Sequence, residues 1–180
     1  MTEPLFETER LLVRPWLPED LDSIHAIYSD PLAMRWVGDG TPLDRDRCRE
    51  WISVTAANHR SRGYGMCAIV DRADGRIVGS GGLVHPDGQR DAEIKYAFLR
   101  THWRRGLASE FVPAMLAHGR DAHGMTRILS TVACAHSVSR LVLERSGLHR
   151  IGERVEKDGT TTCVYMIEFK RSIDDSLERQ

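Results

Sequence analysis

Residues 91–110, D-A-E-I-K-Y-A-F-L-R-T-H-W-R-R-G-L-A-S-E, decide how this chain is read. Asp91 to Leu99 has the make-up of a strand. Trp103-Arg104-Arg105-Gly106 is a short basic loop, and Leu107 opens a helix that runs to about His118. A loop that delivers backbone N–H groups to a helix N-terminus, with arginines beside it, is built to hold an anion.

Upstream, G-M-C-A-I-V-D (65–71) and R-I-V-G-S-G-G-L-V (76–84) read as a hairpin across R-A-D-G, and H-P-D-G-Q-R leads into the 91–99 strand. Gly79, Gly81 and Gly82 predict a bulge or a close backbone approach. Nearer the N-terminus, R-L-L-V-R-P-W (10–16) is a first strand. Pro18 with Glu19 and Asp20 starts a helix, and Leu21, Ile24, His25 and Tyr28 line one face of it. A short helix over 32–37 and a longer one over 41–58 follow, the latter with Cys48, Trp51, Ile52 and Val54 as core positions. Downstream lie a strand over 127–132, a helix over 137–146 closed by Gly147, and two strands over 151–155 and 161–169. The polar stretch 172–180 is read as a mobile tail or short helix. The order βαα(α)βββαβαββ predicts one α+β domain over 1–180. The middle strands are joined by turns too short for parallel crossovers, which excludes a doubly wound sheet.

With 41% hydrophobic and 28% charged residues, the 180-residue chain can bury a sizeable core. A formal net charge of −1 argues against a dedicated nucleic-acid binder. No apolar run approaches the roughly 20 residues of a membrane span, and the residues from Met1 to Arg10 do not read as a secretory signal, so none is expected. The four cysteines are scattered, so reduced thiols in a cytoplasmic protein are expected. The eight histidines show no ligand spacing, so no metal is expected.

Three stretches in this order resemble the GCN5-related N-acetyltransferases (GNAT), and within them the ribosomal-protein alanine N-acetyltransferase branch. They are E-T-E-R-L-L-V-R-P-W (7–16), E-I-K-Y-A-F-L-R-T-H-W-R-R-G-L-A-S-E (93–110) and H-S-V-S-R-L-V-L-E-R-S-G-L (136–148). With the strand order they span residues 7–169. The resemblance implies a mixed, mostly antiparallel sheet with helices on both faces. It also implies a splay between the strands that flank the central helix. It implies acetyl-CoA as co-substrate, its pyrophosphate on the family's Q/R-x-x-G-x-G/A loop. Here that loop is Trp103 to Ala108, so Arg104, Arg105, Gly106, Leu107, Ala108 and Ser109 are expected to bind it. Arg104 stands where the branch frequently has Gly. Phe98 and Leu99 fall where the strand backbone would pair with pantetheine.

The implied reaction is direct attack of a primary amine, a protein N-terminus or a small amine, on the thioester. It needs a base for the amine and an acid for the thiolate. Glu93 matches the branch's candidate base, but Lys95 shares its strand face, so a structural carboxylate is the other reading. His136 stands where the family has Asn, and reads as a CoA contact, a substitute base or acid, or a helix-start residue. Ser139 is a candidate acid or CoA contact, or a first-turn hydroxyl. Met34, Arg35 and Trp36 are expected near the acceptor, with Trp36 read as core. Trp16, Tyr28 and Trp51 are expected in the core or lining the cleft. The resemblance carries a monomer or homodimer. A non-catalytic acyl-CoA-binding module is the alternative function.

Overall fold

A computed structural model describes residues 3–156 and 158–170; the expected tail over 172–180 lies outside them. The strands are β1 (Phe6–Glu7), β2 (Leu11–Pro15), β3 (Met66–Asp71), β4 (Ile77–Val84), β5 (Ala92–Phe98), β6 (Arg127–Ala133), β7 (His149–Val155) and β8 (Thr161–Glu168). The helices are α1 (Leu21–Tyr28), α2 (Pro31–Met34), α3 (Arg45–Arg62), α4 (Leu107–His123) and α5 (Ser137–Arg145). The strands form one sheet in the order β1-β2-β3-β4-β5-β6-β8-β7, antiparallel except between β5 and β6. That parallel pair is possible because α4 supplies the crossover.

Two cores sandwich the sheet. Strand alternation sends Cys67 and Ile69 of β3 to one face, where α4 buries Leu107, Phe111, Val112, Met115 and Leu116 and α5 buries Val142 and Leu143. Ala68 between them points to the other face, where α1, α2 and α3 bury Ile24, Ile27, Met34, Cys48 and Ile52. Trp16 and Tyr28 are buried there, and half-buried Trp51 packs against both rings, at centroid distances of 6.3 and 5.6 Å.

The structure moves several expected boundaries. The long helix starts at Arg45, capped by the Asp44 side chain, and continues past Asn58 to Arg62, where Gly63 turns left-handed. Val54 is therefore 54% exposed rather than core, and Thr55 takes the buried position. The β3–β4 register shifts beside Ile69 and Val70, as the glycines of β4 predict. A Cβ on Gly81 would lie 2.5 Å from the Phe111 ring, so glycine there lets α4 approach the sheet. The expectation of reduced thiols fails at two positions. Cys134 and Cys163, 29 residues apart in sequence, form a disulfide with Cα atoms 5.1 Å apart, because β6 and β8 pair side by side. Cys48 and Cys67 are free and buried.

Candidate active site

The parallel strands β5 and β6 pair only at Ala92↔Ile128 and Glu93↔Leu129, then diverge. Beyond that point β5 has an open edge. The alternation of the β4–β5 ladder decides which groups face it. Leu99 N–H donates to Val78 O at 2.9 Å, so the Phe98 and Tyr96 backbone groups point the other way, into the gap. This separates the two residues expected to meet pantetheine. Leu99 gives its N–H to β4 and its carbonyl to the loop, accepting from His102 N–H at 2.8 Å, whereas Phe98 lies on the open side. The Phe98 carbonyl accepts from Trp103 Nε1 at 2.8 Å.

The gap leads to the N-terminus of α4. Gly106 caps that helix at φ 74 without any side-chain cap, and the first helical bond runs from Glu110 N to Gly106 O. The N–H groups of Leu107, Ala108 and Ser109 therefore have no partner within the helix. Arg104 is also left-handed, at φ 61, where glycine would be unstrained. Consecutive turns of this kind gather N–H groups into an anion cradle. Arg10, outside the stretch that suggested the loop, braces it: its Nη1 donates to Arg105 O at 2.8 Å and its Nε to Glu110 at 2.6 Å. Arg105 lies 3.7 Å from Asp71, and Arg10, Arg72, Arg105 and Leu107 line a shallow basin beside the helix start. Only the tertiary structure brings Arg10 here; in sequence it looks like an ordinary charge ahead of β2.

The candidate base is occupied. Glu93 is 2% exposed. Its Oε1 pairs with Lys95 Nζ and accepts from Thr131 N–H (2.9 Å) and Thr131 Oγ1. Its Oε2 takes a longer bond from Gln89, at 3.4 Å. Lys95 also donates to Thr131 Oγ1 at 2.6 Å. The four residues close a network that ties β5 to β6 at the fork, which is the structural alternative for Glu93.

His136 caps α5, its Nδ1 accepting from Ser139 N–H at 3.0 Å. Burial pulls its imidazole below the ordinary histidine value, and the Arg35 charge adds to that. The neutral ring therefore holds its proton on Nε2, which makes it a donor and leaves no free lone pair for a base. The Trp36 ring stands edge-on to it at 4.6 Å, and the Arg35 guanidinium lies 4.3 Å over Trp36. Half-buried Trp36 thus lies outside the core expected of it, while Met34 is buried there.

Across the gap, Ser139 Oγ meets the Tyr96 hydroxyl at 2.8 Å. Burial pushes the Tyr96 phenol up to about 12, partly opposed by the Ser139 hydrogen bond, so it stays protonated at neutral pH. Tyr96 is absent from the residues expected at the site. Its spacing of two from Phe98, on the same strand face, is the signal that could have found it.

Residues 10–149 match the model of the acetyltransferase (GNAT) domain. The curated relative YoaA of Bacillus subtilis, named an uncharacterized N-acetyltransferase, is 29% identical over 171 residues, 91% of this chain and 96% of its own. A GNAT acetyltransferase of Bacillus anthracis superposes with TM-score 0.78 at 22% identity, over 90% of this chain and 96% of that one. RimL, a ribosomal L7/L12 α-N-protein acetyltransferase solved with coenzyme A, superposes with TM-score 0.79 at 14% identity, over 92% of this chain and 98% of that one. The left-handed loop at the head of α4, the parted strands beside it and the match over most of the chain agree: this protein belongs to the GNAT family and is an acetyltransferase.

Proposed function

We propose that the protein transfers an acetyl group from acetyl-CoA to a primary amine with a low pKa, a protein N-terminus or a small amine, in a ternary complex. The observation that carries the choice of amine is the network around Glu93. A carboxylate held by Lys95 and Thr131 is not free to take a proton, and His136 offers no lone pair. The acceptor must therefore arrive substantially neutral. A peptide α-amine, with pKa about 7.7–8.0, is neutral in a sizeable fraction at pH 7.5; a lysine ε-amine near 10.4 is neutral in only about one molecule in a thousand.

The residues fit acetyl-CoA. The N–H groups of residues 104–109, with the Arg104 and Arg105 side chains, would hold the pyrophosphate, and the open-side backbone of Tyr96 and the Phe98 N–H would pair with pantetheine. Bound there, acetyl-CoA supplies the thioester that the amine attacks. His136 Nε2–H is a donor at the mouth of the gap. The Ser139 and Tyr96 hydroxyls, 2.8 Å apart, would give a proton to the departing thiolate sulfur, and the surplus proton of the attacking amine would replace it.

Two measurements test this. Acetyl-CoA at near-millimolar concentration should raise the melting temperature, and a panel of amines scored by thiol release should favour N-terminal peptides over lysine side chains. A preference for ε-amines at neutral pH would sink the proposal about the acceptor. No thermal shift would sink the assignment of the cofactor residues.

A further inference from the structure

Near the reacting end the carboxylates and most of the cations neutralise one another, and Arg35 is left over. Glu93 is held by Lys95 and Thr131, and Asp30 by Arg100 at 2.8 Å and Leu32 N–H at 2.9 Å. Arg35 is exposed and, among the described residues, forms no ion pair. Its guanidinium carbon lies 4.3 Å from the centroid of the Trp36 ring, and Trp36 in turn abuts His136 at 4.6 Å. Among the described residues no hydrogen bond engages the Arg35 side-chain N–H groups, and the fork geometry of a guanidinium suits a carboxylate. One ring separates this cation from the α5 cap, where the Ser139 and Tyr96 hydroxyls meet. An acceptor that presents its amine to those hydroxyls places its neighbouring groups against Arg35, with Lys95 on the strand beyond.

Resting on the proposed function above, we propose that the acceptor is a primary amine carrying a carboxylate within a residue or two of it, and that Arg35 reads that carboxylate. Two sources offer this chemistry: a peptide N-terminus with Asp or Glu in its first positions, and a free amino acid. A polycationic amine is disfavoured beside Arg35, whose charge no carboxylate meets among the described residues.

The test is the kcat/KM of matched acceptors: peptides with Asp or Asn at the second residue, and a free amino acid against its amide. Arg35→Gln and Arg35→Lys are assayed beside the wild type. The carboxylate acceptor should be favoured by about fivefold or more, the scale of one partly exposed charge pair. Arg35→Gln should erase the preference through KM, and Arg35→Lys should restore part of it. Success with peptides alone identifies a protein N-terminus, and success with the free acid alone a metabolite. Equal rates for acid and amide, or a loss in Arg35→Gln that is the same for both, overturns the proposal. Acetyl-CoA stabilisation without transfer to any carboxylate acceptor also overturns it. Failure of acetyl-CoA to stabilise the protein strikes the cofactor reading instead.

Discussion

Replacing Glu93 by Gln separates a structural carboxylate from a catalytic one. The substitution keeps an oxygen for the Thr131 N–H but removes the charge that Lys95 meets, and it presents an amide N–H₂ to Gln89. Glu93 is buried, but Lys95 is 38% exposed, so solvent screens part of the lost attraction. The expected cost is about 1–2 kcal/mol, above a surface pair and below a fully buried one. In a chain of this size that lowers the melting temperature by roughly 2–8 °C. Adding Lys95→Met should give a non-additive cycle, because both changes remove the same contact. Thermal and urea unfolding measure the stability, and thiol release at saturating substrates measures kcat. The reasoning expects kcat to fall by less than about threefold, since a lost general base costs about 10²–10⁴. A Glu93→Gln protein with an unshifted melting temperature and a hundredfold lower kcat would refute it.

Arg104→Gly removes a left-handed side chain that costs about 1 kcal/mol, offset by the about 0.5–1 kcal/mol that glycine's freedom adds to unfolding. Unfolding should therefore be nearly unchanged while acetyl-CoA binds severalfold more weakly in calorimetry and loses salt dependence. The imidazoles of His59, His118, His123 and His136 are all held below the ordinary value, chiefly by burial. Below about pH 6.5 the unfolded chain takes up protons that the folded one does not. Stability is thus intact above that pH and is lost as pH falls through the folded values, which urea midpoints from pH 7.5 to 5 will show. Reducing the Cys134–Cys163 bridge, or Cys163→Ser, should cost roughly 3–4 kcal/mol for a loop of this length in urea unfolding; equal midpoints with and without reductant would contradict the pairing.

How legible the protein was depended on whether a feature was local. Residues 91–110 announced a strand, a basic turn and a helix start because propensity, periodicity and the Gly106 turn all act within a few residues. The element order followed from similar local signals, and that order excluded a doubly wound sheet. Boundaries slipped where a cap lay outside the apolar pattern: Asp44 rather than Pro42 starts α3, and the two-residue β1 exists only because β2 is there to pair with it.

The chemistry at the site was set by contacts between distant segments. Glu93 and Lys95 were foreseeable as neighbours on one strand face, but Thr131, which completes their network, comes from the far side of the α4 crossover. Arg10 reaches the loop ahead of α4 across about a hundred residues. Cys134 finds Cys163 through strand pairing, and Trp36 finds His136 because the chain after α2 comes to lie against the start of α5. Sequence by itself determined where the basic loop ahead of α4 lies and which strand feeds it. Tertiary structure alone decided which side chains remain free to act there, because a proton acceptor or a charge is defined by its partners, and these partners come from elements far apart in the chain.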